Sequence, residues 1–515
     1  MNFLIKSICA AAAFIATAAT AGAQIGNPFI HDPSTIVECD GKYYTFGTGG
    51  GGLISEDGWH WESGAVRPGG GVAPDAMKIG DRYLVVYAAG AQGGNTGHKS
   101  RVYMMWNKTL DPNSPDFKYT DPVDIAGSDG YEDCDGIDPG LLMGPDGRLW
   151  LVYGTYFGYI RIVEMDPKTG LVKPEHEPVD LAISCEAAQM FYEDGWYYLL
   201  ATHGTCCDGM NSTYETIVGR SRNPRGPYID NIGRDMIQGG GKLVFASEKH
   251  RVGAGHMTRY IIGEGVEKCA VHFEGDLDLG GRSTLAIRPL LWVNGWPKAG
   301  EILADGNYGI VSERRGNALE LSVKTTRMQG SMRGGFGGFT GGPGAGAPRP
   351  ANGAAGAPQG PAAGAPQQRP QAQPQPIVPM PDQKLEDVID TWPAGDTDLR
   401  LGADMYRPHQ NWEITAVPDA GGYLGGAYYK IIIAGTKKAL TATEEKEVIA
   451  AGEYTGADNQ LWRIDQLTDG TYRIMPKAIP GCDEELALIA VADATPTLGR
   501  FDFESDNSKW YFRKH

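Results

Sequence analysis

Along the first 300 residues, apolar positions come in short runs that alternate with polar ones, and each run follows a turn glycine. Five copies stand out: Gly41–Phe46, Gly80–Tyr87, Gly147–Tyr153, Gly195–Leu200 and Gly265–Phe273, spaced by 39, 67, 48 and 70 residues. A polar-glycine turn followed by aromatic and β-branched alternation is a hairpin signal. Little in this region has the 3.6-residue period of a helix. Repeated β-units of this size predict the blades of a propeller, five of them in about 280 residues. A β-sandwich of regular hairpins is the alternative.

The C-terminal part repeats on a different plan. Tyr308-Gly-Ile310 leads to Leu319, Tyr429-Lys-Ile431 to Leu440, and Tyr472-Arg-Ile474 to Leu486. Each repeat closes on a tryptophan, in Gln410-Asn-Trp412, Gln460-Leu-Trp462 and Ser508-Lys-Trp510. Residues 329–382 are Gly, Pro, Ala and Gln with almost no core formers, a composition that cannot bury enough apolar surface to order itself. The repeat arithmetic places this stretch inside the first lobe. Leu440 to Trp462 is 22 residues, whereas Leu319 to Trp412 is 93. Three such lobes resemble the ricin-type β-trefoil. The expected fold is therefore all-β: a signal segment over 1–23, a five-bladed β-propeller over 24–305 and a β-trefoil over 306–515, interrupted by 329–382.

Charge and cysteines narrow the partners. The formal net charge is −17, spread diffusely, which argues against nucleic acid or an anionic membrane and leaves a neutral polysaccharide unaffected. Lys6, an apolar run over residues 7–20 and Ala21-Gly22-Ala23 read as an export signal cleaved before Gln24. A periplasmic or extracellular protein is expected, with disulfides permitted. Seven cysteines follow the signal, an odd number that leaves at least one thiol unpaired within a chain. Cys206 and Cys207 are adjacent; a bond between them and two unpaired thiols in a tight loop are both open.

Three acidic motifs, His31-Asp32-Pro33-Ser34, Gly136-Ile137-Asp138-Pro139 and Cys185-Glu186-Ala187, each lie just upstream of an aromatic strand. An Asp-Pro pair alone often marks only a turn. Three carboxylates at the mouths of successive β-units suggest cleavage of a glycosidic acetal, which needs one carboxylate as base and one carboxylic acid as proton donor. The ordered set of motifs resembles glycoside hydrolase family 43 and, within it, the arabinan endo-1,5-α-L-arabinosidases. It runs from His31-Asp32-Pro33-Ser34 through Ala73-Pro74-Asp75, Gly136–Pro139 with Trp150–Gly154, Glu186-Ala187, Cys206–Tyr214, Val218–Ser221, Gln238–Gly241, Gly253–His256 and Gly295-Trp296-Pro297. The stretch from the cysteine pair to Tyr214 is distinctive for the arabinanase branch.

The resemblance implies an inverting hydrolase with Asp32 as general base, Asp138 as the carboxylate that tunes the acid, and Glu186 as general acid. It implies a metal ion, commonly calcium, at His256, although one imidazole is a poor calcium predictor by its chemistry alone. His31, Asp75, Phe157, His203, Cys206, Cys207 and Arg288 are candidates for the sugar cleft, with a surface ion pair the competing role for Arg288. Val72, Phe157 and Glu186-Ala-Ala-Gln189 depart from the arabinanase pattern near the expected sugar sites. The implied substrate is plant cell-wall arabinan or xylan-type side chains, cut internally at α-1,5 bonds. An exo-acting α-L-arabinofuranosidase, a β-xylosidase and a non-catalytic glycan-binding protein are the alternatives. Five-bladed fructan hydrolases use similar motifs but retain configuration. The trefoil is expected either to bind glycan or to support the propeller.

Overall fold

The computed structural model describes residues 24–90, 99–127, 134–155, 158–323, 385–492 and 494–515. The expected signal segment, the 329–382 stretch and Phe157 lie outside them.

Twenty strands make five four-stranded antiparallel blades, each running in chain order from inside to outside. The innermost strands are Val37–Cys39, Val72–Ile79, Gly140–Met143, Glu186–Glu193 and Arg251–Gly263. The five sequence repeats are the second strands, Lys42–Phe46, Arg82–Ala89, Leu149–Tyr153, Trp196–His203 and Val266–Asp276. These strands sit between two neighbouring blades, so both faces are covered and the apolar run is nearly continuous. Leu149–Tyr153 is buried at every position. The outer strand His60–Val66 is buried at only two of seven.

Five apolar clusters fill the five seams, one for each neighbouring pair of blades. Ile36, Leu53 and Trp61 meet Ala270, Leu285 and Ile287 across the last seam, which closes the ring. Each fully buried side chain of this size contributes about 1.5–3 kcal/mol relative to exposure. Ile25–Gly26 adds a parallel outermost strand to the first blade, and the amide of Leu285 donates to the Pro28 carbonyl (2.8 Å). The N-terminal segment thus ties the first blade to the fifth.

The second fold is a closed six-stranded barrel of Gly306–Ser312, Trp412–Ala416, Tyr429–Ile433, Trp462–Gln466, Tyr472–Pro476 and Trp510–Lys514, with three hairpins between its strands. Trp412, Trp462 and Trp510 are fully buried. Their indole N–H groups donate to the carbonyls of Leu319 (2.9 Å), Leu440 (2.9 Å) and Leu488 (2.7 Å). The third lobe therefore uses Leu488 where the sequence repeat pointed to Leu486. With Leu488, its leucine-to-tryptophan step equals the 22 residues of the second lobe.

Propeller and trefoil belong to one compact unit, Met1–Ser322 with Pro393–His515. Main-chain bonds join them, Trp292 N–H to Thr468 O (2.7 Å), Thr468 N–H to Gly265 O (2.8 Å) and Leu424 N–H to Asp57 O (2.9 Å). Close to this junction Asp465 is buried, paired with Arg473 (2.9 Å) and with Lys268 of the propeller (3.5 Å). In the second unit, Val323–Trp392, the described residues include one short α-helix, Leu385–Ile389.

Candidate active site

One backbone feature recurs where the chain enters each inner strand. Asp32, Ala73, Asp138, Ala187 and His256 all have positive φ, between 45° and 54°. Few non-glycine residues adopt this conformation, and it costs about 1–2 kcal/mol per residue. Three of the five precede a proline, Pro33, Pro74 and Pro139. In the second, fourth and fifth blades the strand register slips at this point, as expected of a bulge that re-aims a side chain. The positive-φ bend delivers Asp32, Asp138 and His256 from three blades. In the fourth blade the residue before it, Glu186, takes that role; in the second, alanine and valine occupy both positions. Close packing is built in here: a Cβ on Gly255 would lie 2.5 Å from the Tyr214 ring, so only glycine fits before His256.

Asp32 is the most heavily bonded of the acids. Its Oδ2 accepts from Thr48 Oγ1 (2.5 Å) and lies 2.8 Å from His31 Nδ1. Its Oδ1 faces His256 Nδ1 at 3.4 Å. Burial alone would raise this carboxyl, but the His256 and His31 imidazoles beside it outweigh that and hold the group well below the usual carboxylate range. Its amide donates to His272 Nδ1 (3.0 Å), which leaves the His272 proton on Nε2, 3.3 Å from Glu274 Oε1. Glu274 Oε1 is also 3.1 Å from His31 Nε2. Burial lowers the proton affinity of His31, yet its bonds to Asp32 and Glu274 prevail and push its pKa up to about 10. His31 is thus an imidazolium clamped between two carboxylates.

Glu186 is in the opposite state. Burial and the nearby charge of Asp138 push its pKa up to about 8. Thr155 Oγ1 donates to its Oε2 (2.9 Å). Asp138 is raised to about 6, by burial and by the charge of Asp32, and its Oδ2 accepts the Ala187 amide (3.0 Å) directly beside Glu186. The charges of Asp138 and Asp32 both reach Glu186, and that of Asp32 reaches Asp138, so one centre holds the three carboxyls.

The remaining expected cleft residues separate into groups. Cys206 and Cys207 are bonded to each other, and their sulfurs lie beside His31 and Glu274. His203 is half-exposed, 3.7 Å from Glu215. Two expectations need correcting. Asp75 is buried, with its oxygens accepting the amides of Thr35 (2.9 Å) and Leu141 (2.8 Å), so it ties three blades together and offers no free acceptor to a sugar. Arg288 is also buried, paired with Glu248 and bonded to the Ile287 carbonyl, and it borders a cavity shared with Tyr308 and Tyr472 of the trefoil.

Four contributors escaped the sequence reading: Thr48, Thr155, His272 and Glu274. The threonines follow the ends of second strands in Phe46-Gly47-Thr48 and Tyr153-Gly154-Thr155, a repeat visible in the chain. His272 and Glu274 sit two apart, hence on one face of a strand that is otherwise largely apolar.

His256 is almost wholly buried, and its Nδ1 makes no hydrogen bond. Calcium takes six to eight oxygen ligands. Among the described residues no pair of further His, Cys, Asp or Glu ligand atoms converges with His256, and Asp138 and Asp32 are already engaged. Among the described residues, His, Cys, Asp and Glu side chains alone do not complete a calcium shell at His256; water and other oxygen donors would have to supply nearly all of it.

A ring of blades that keeps one carboxyl protonated and another ionised around a shared centre defines a glycosidase. The chain belongs to the glycosyl hydrolases family 43, whose family model matches residues 45–297. A ricin-type β-trefoil lectin domain-like model matches residues 408–482. The chain is 31% identical over 306 residues to an extracellular exo-α-(1→5)-L-arabinofuranosidase of Cellvibrio japonicus, spanning 53% of this chain and 86% of that protein. It is 28% identical over 329 residues to an extracellular endo-α-(1→5)-L-arabinanase of Bacillus subtilis, spanning 58% and 96%. A solved exo-1,5-α-L-arabinanase from a bovine ruminal metagenomic library shares 32% identity at a TM-score of 0.50, over 53% of this chain and 97% of that one.

Proposed function

We propose that this chain hydrolyses α-1,5-linked L-arabinofuranosyl bonds of arabinan with inversion at the anomeric carbon. The observation that carries this reading is the pair of opposite protonation states, Glu186 at about 8 and Asp32 far below its usual range. Thr155 occupies Glu186 Oε2, so the acid proton sits on Oε1 and passes to the leaving oxygen. On Asp32, Oδ2 carries two close donors and Oδ1 is the less engaged oxygen. Oδ1 therefore takes the proton of the attacking water. Inversion requires the two carboxyls to stand roughly 6.5–9.5 Å apart, with the water between sugar and base. Asp138 stays on the Ala187 amide and raises Glu186 by its charge.

The names of the relatives support arabinan, and they divide between internal and terminal cleavage. The motif resemblance favours internal cleavage. Two relatives above 30% identity, both named as exo-acting, favour release from chain ends. Xylan-type side chains are a further candidate substrate. Export fits the relatives named extracellular, and no helix among the described residues is long and apolar enough to cross a membrane. A water-rich calcium site at His256 is part of the proposal, tested by metal analysis before and after chelation. Glycan binding by the trefoil is tested by retardation of the full chain in arabinan gels.

Incubation with linear arabinan, with the products sized over time, tests the reading. A ladder of oligosaccharides marks internal cleavage, one short product marks terminal cleavage, and an unchanged polymer refutes the proposal. Proton NMR of the first product should show the inverted anomer.

A further inference from the structure

The Cys206–Cys207 bond is the one disulfide among the described residues. A bond between chain neighbours closes no loop, so it supplies none of the loop-closure stabilisation of a structural disulfide. Cys39, Cys185 and Cys269 meanwhile remain buried thiols. What distinguishes the pair is its position. His31, Cys206, Cys207 and Glu274 each bring one ligand atom, and all four atoms lie within 4.8 Å of one another. Cys207 is exposed and Cys206 half-buried, within reach of a small reductant, whereas Glu274 is buried.

Two sulfurs, an imidazole nitrogen and a carboxylate oxygen are the donor types that tetrahedral zinc accepts. Zinc binds sulfur at about 2.3 Å and nitrogen at about 2.0 Å, so its ligand atoms stand about 3–4 Å apart. Once their bond is cut, the two sulfurs must part from bonding distance to about 3–4 Å, while the other pairs, no more than 4.8 Å apart, need close in by at most about an ångström or two to meet that geometry. His31 Nε2 already faces Glu274 Oε1 at 3.1 Å, while Nδ1 faces Asp32 Oδ2 at 2.8 Å. A metal on Nε2 would leave the Nδ1 proton on Asp32, the carboxylate–histidine–metal chain common in zinc proteins.

We propose that the reduced Cys206–Cys207 pair forms, with His31 and Glu274, a site for a soft divalent cation such as zinc, which the intact disulfide keeps closed. A small dithiol opens it: the dithiol gives two electrons and two protons, its own disulfide forms, and the Cys206–Cys207 bond becomes two thiols. Zinc uptake then displaces both thiol protons and the proton on His31 Nε2, three in all, and Glu274 binds as the carboxylate it already is. Zinc also replaces a proton on the imidazole that touches Asp32 and draws Glu274 from His272. The loss of turnover this predicts rests on the proposed role of Asp32; the binding itself does not.

The test uses the full chain with and without dithiothreitol treatment, freed of reductant without air and titrated with zinc, then with cadmium in its place. Reduced wild type should take up one more equivalent of zinc than the oxidised protein, release about three protons with it at a pH below the thiol pKa, and show thiolate-to-metal absorption with cadmium. Reduced Cys206→Ser/Cys207→Ser should lack that equivalent. Should the variant fold poorly, the oxidised wild type serves as the same control. Hydrolysis by the reduced protein should fall by about tenfold or more on zinc addition and return on chelation. Equal zinc uptake by oxidised and reduced protein, or a cadmium complex without the thiolate band, overturns the site. Extra zinc without loss of hydrolysis overturns its link to Asp32. Zinc uptake is read without substrate, so failure of the arabinan reading leaves this result intact.

Discussion

Propeller and trefoil are both built by repetition, and they treat their repeats in opposite ways. In the trefoil the repeated residue keeps its identity: three tryptophans make the same buried bond to three leucine carbonyls. In the propeller the repeated backbone is kept while the side chain changes, from Asp32 to Ala73, Asp138, Ala187 and His256. A residue repeated unchanged is serving the barrel's packing. A conserved bend with a varied side chain lets a symmetric scaffold present an asymmetric set of groups to one axis. Chemistry belongs where the repeat is broken.

Substitution at the two kinds of position should therefore separate activity from stability. The largest effects fall on the broken repeat. Asp32→Asn and Glu186→Gln should each lower hydrolysis of the natural linkage by at least about 10²-fold, with melting temperatures near wild type. Near-normal turnover in either folded variant would remove that residue from the reaction. Trp462→Ala should do the reverse. It removes a fully buried indole and costs about 3–5 kcal/mol of stability, visible in thermal unfolding, while kcat per folded molecule stays unchanged.

Asp138→Asn sharpens the comparison through pH. Glu186 works only while protonated, so activity should fall as pH rises through about 8. Burial remains in the variant but the neighbouring charge is gone. The Glu186 pKa drops, and the alkaline limb of kcat/KM moves to lower pH. An unmoved limb would show that Asp138 does not tune the acid. The smallest effect is expected at Ala73, where the repeat carries no functional side chain. Ala73→Gly relieves the positive φ and should raise stability by at most about 1 kcal/mol, since glycine also gains freedom in the unfolded chain.

Much of the architecture is legible in the sequence because it is periodic. The five turn-glycine repeats are the five second strands, each sandwiched between neighbours and so written in apolar residues. The Gln-x-Trp positions are the barrel core. Asp32, Asp138 and Glu186 are readable because proline or an aromatic strand follows them in order. Asp75 misleads because it occupies the same bulge motif two residues further on, where the side chain turns inward to backbone amides. Arg288 misleads because its partner, Glu248, is 40 residues away. His272 and Glu274 stay hidden because their meaning comes from Asp32 and His31, about 240 residues away in sequence. Leu486 for Leu488 is the ordinary error of counting through an irregular hairpin.

The central claim is a division of labour, with Glu186 giving the proton and Asp32 taking one. Rates on a series of aryl α-L-arabinofuranosides, from poor to good leaving groups, test it most directly. Glu186→Gln should be severely impaired on the poor leaving groups and recover toward wild type on the best, because a good leaving group needs no proton. Asp32→Asn should be impaired equally across the series. Parallel losses in both variants, or recovery in Asp32→Asn alone, would contradict the assignment.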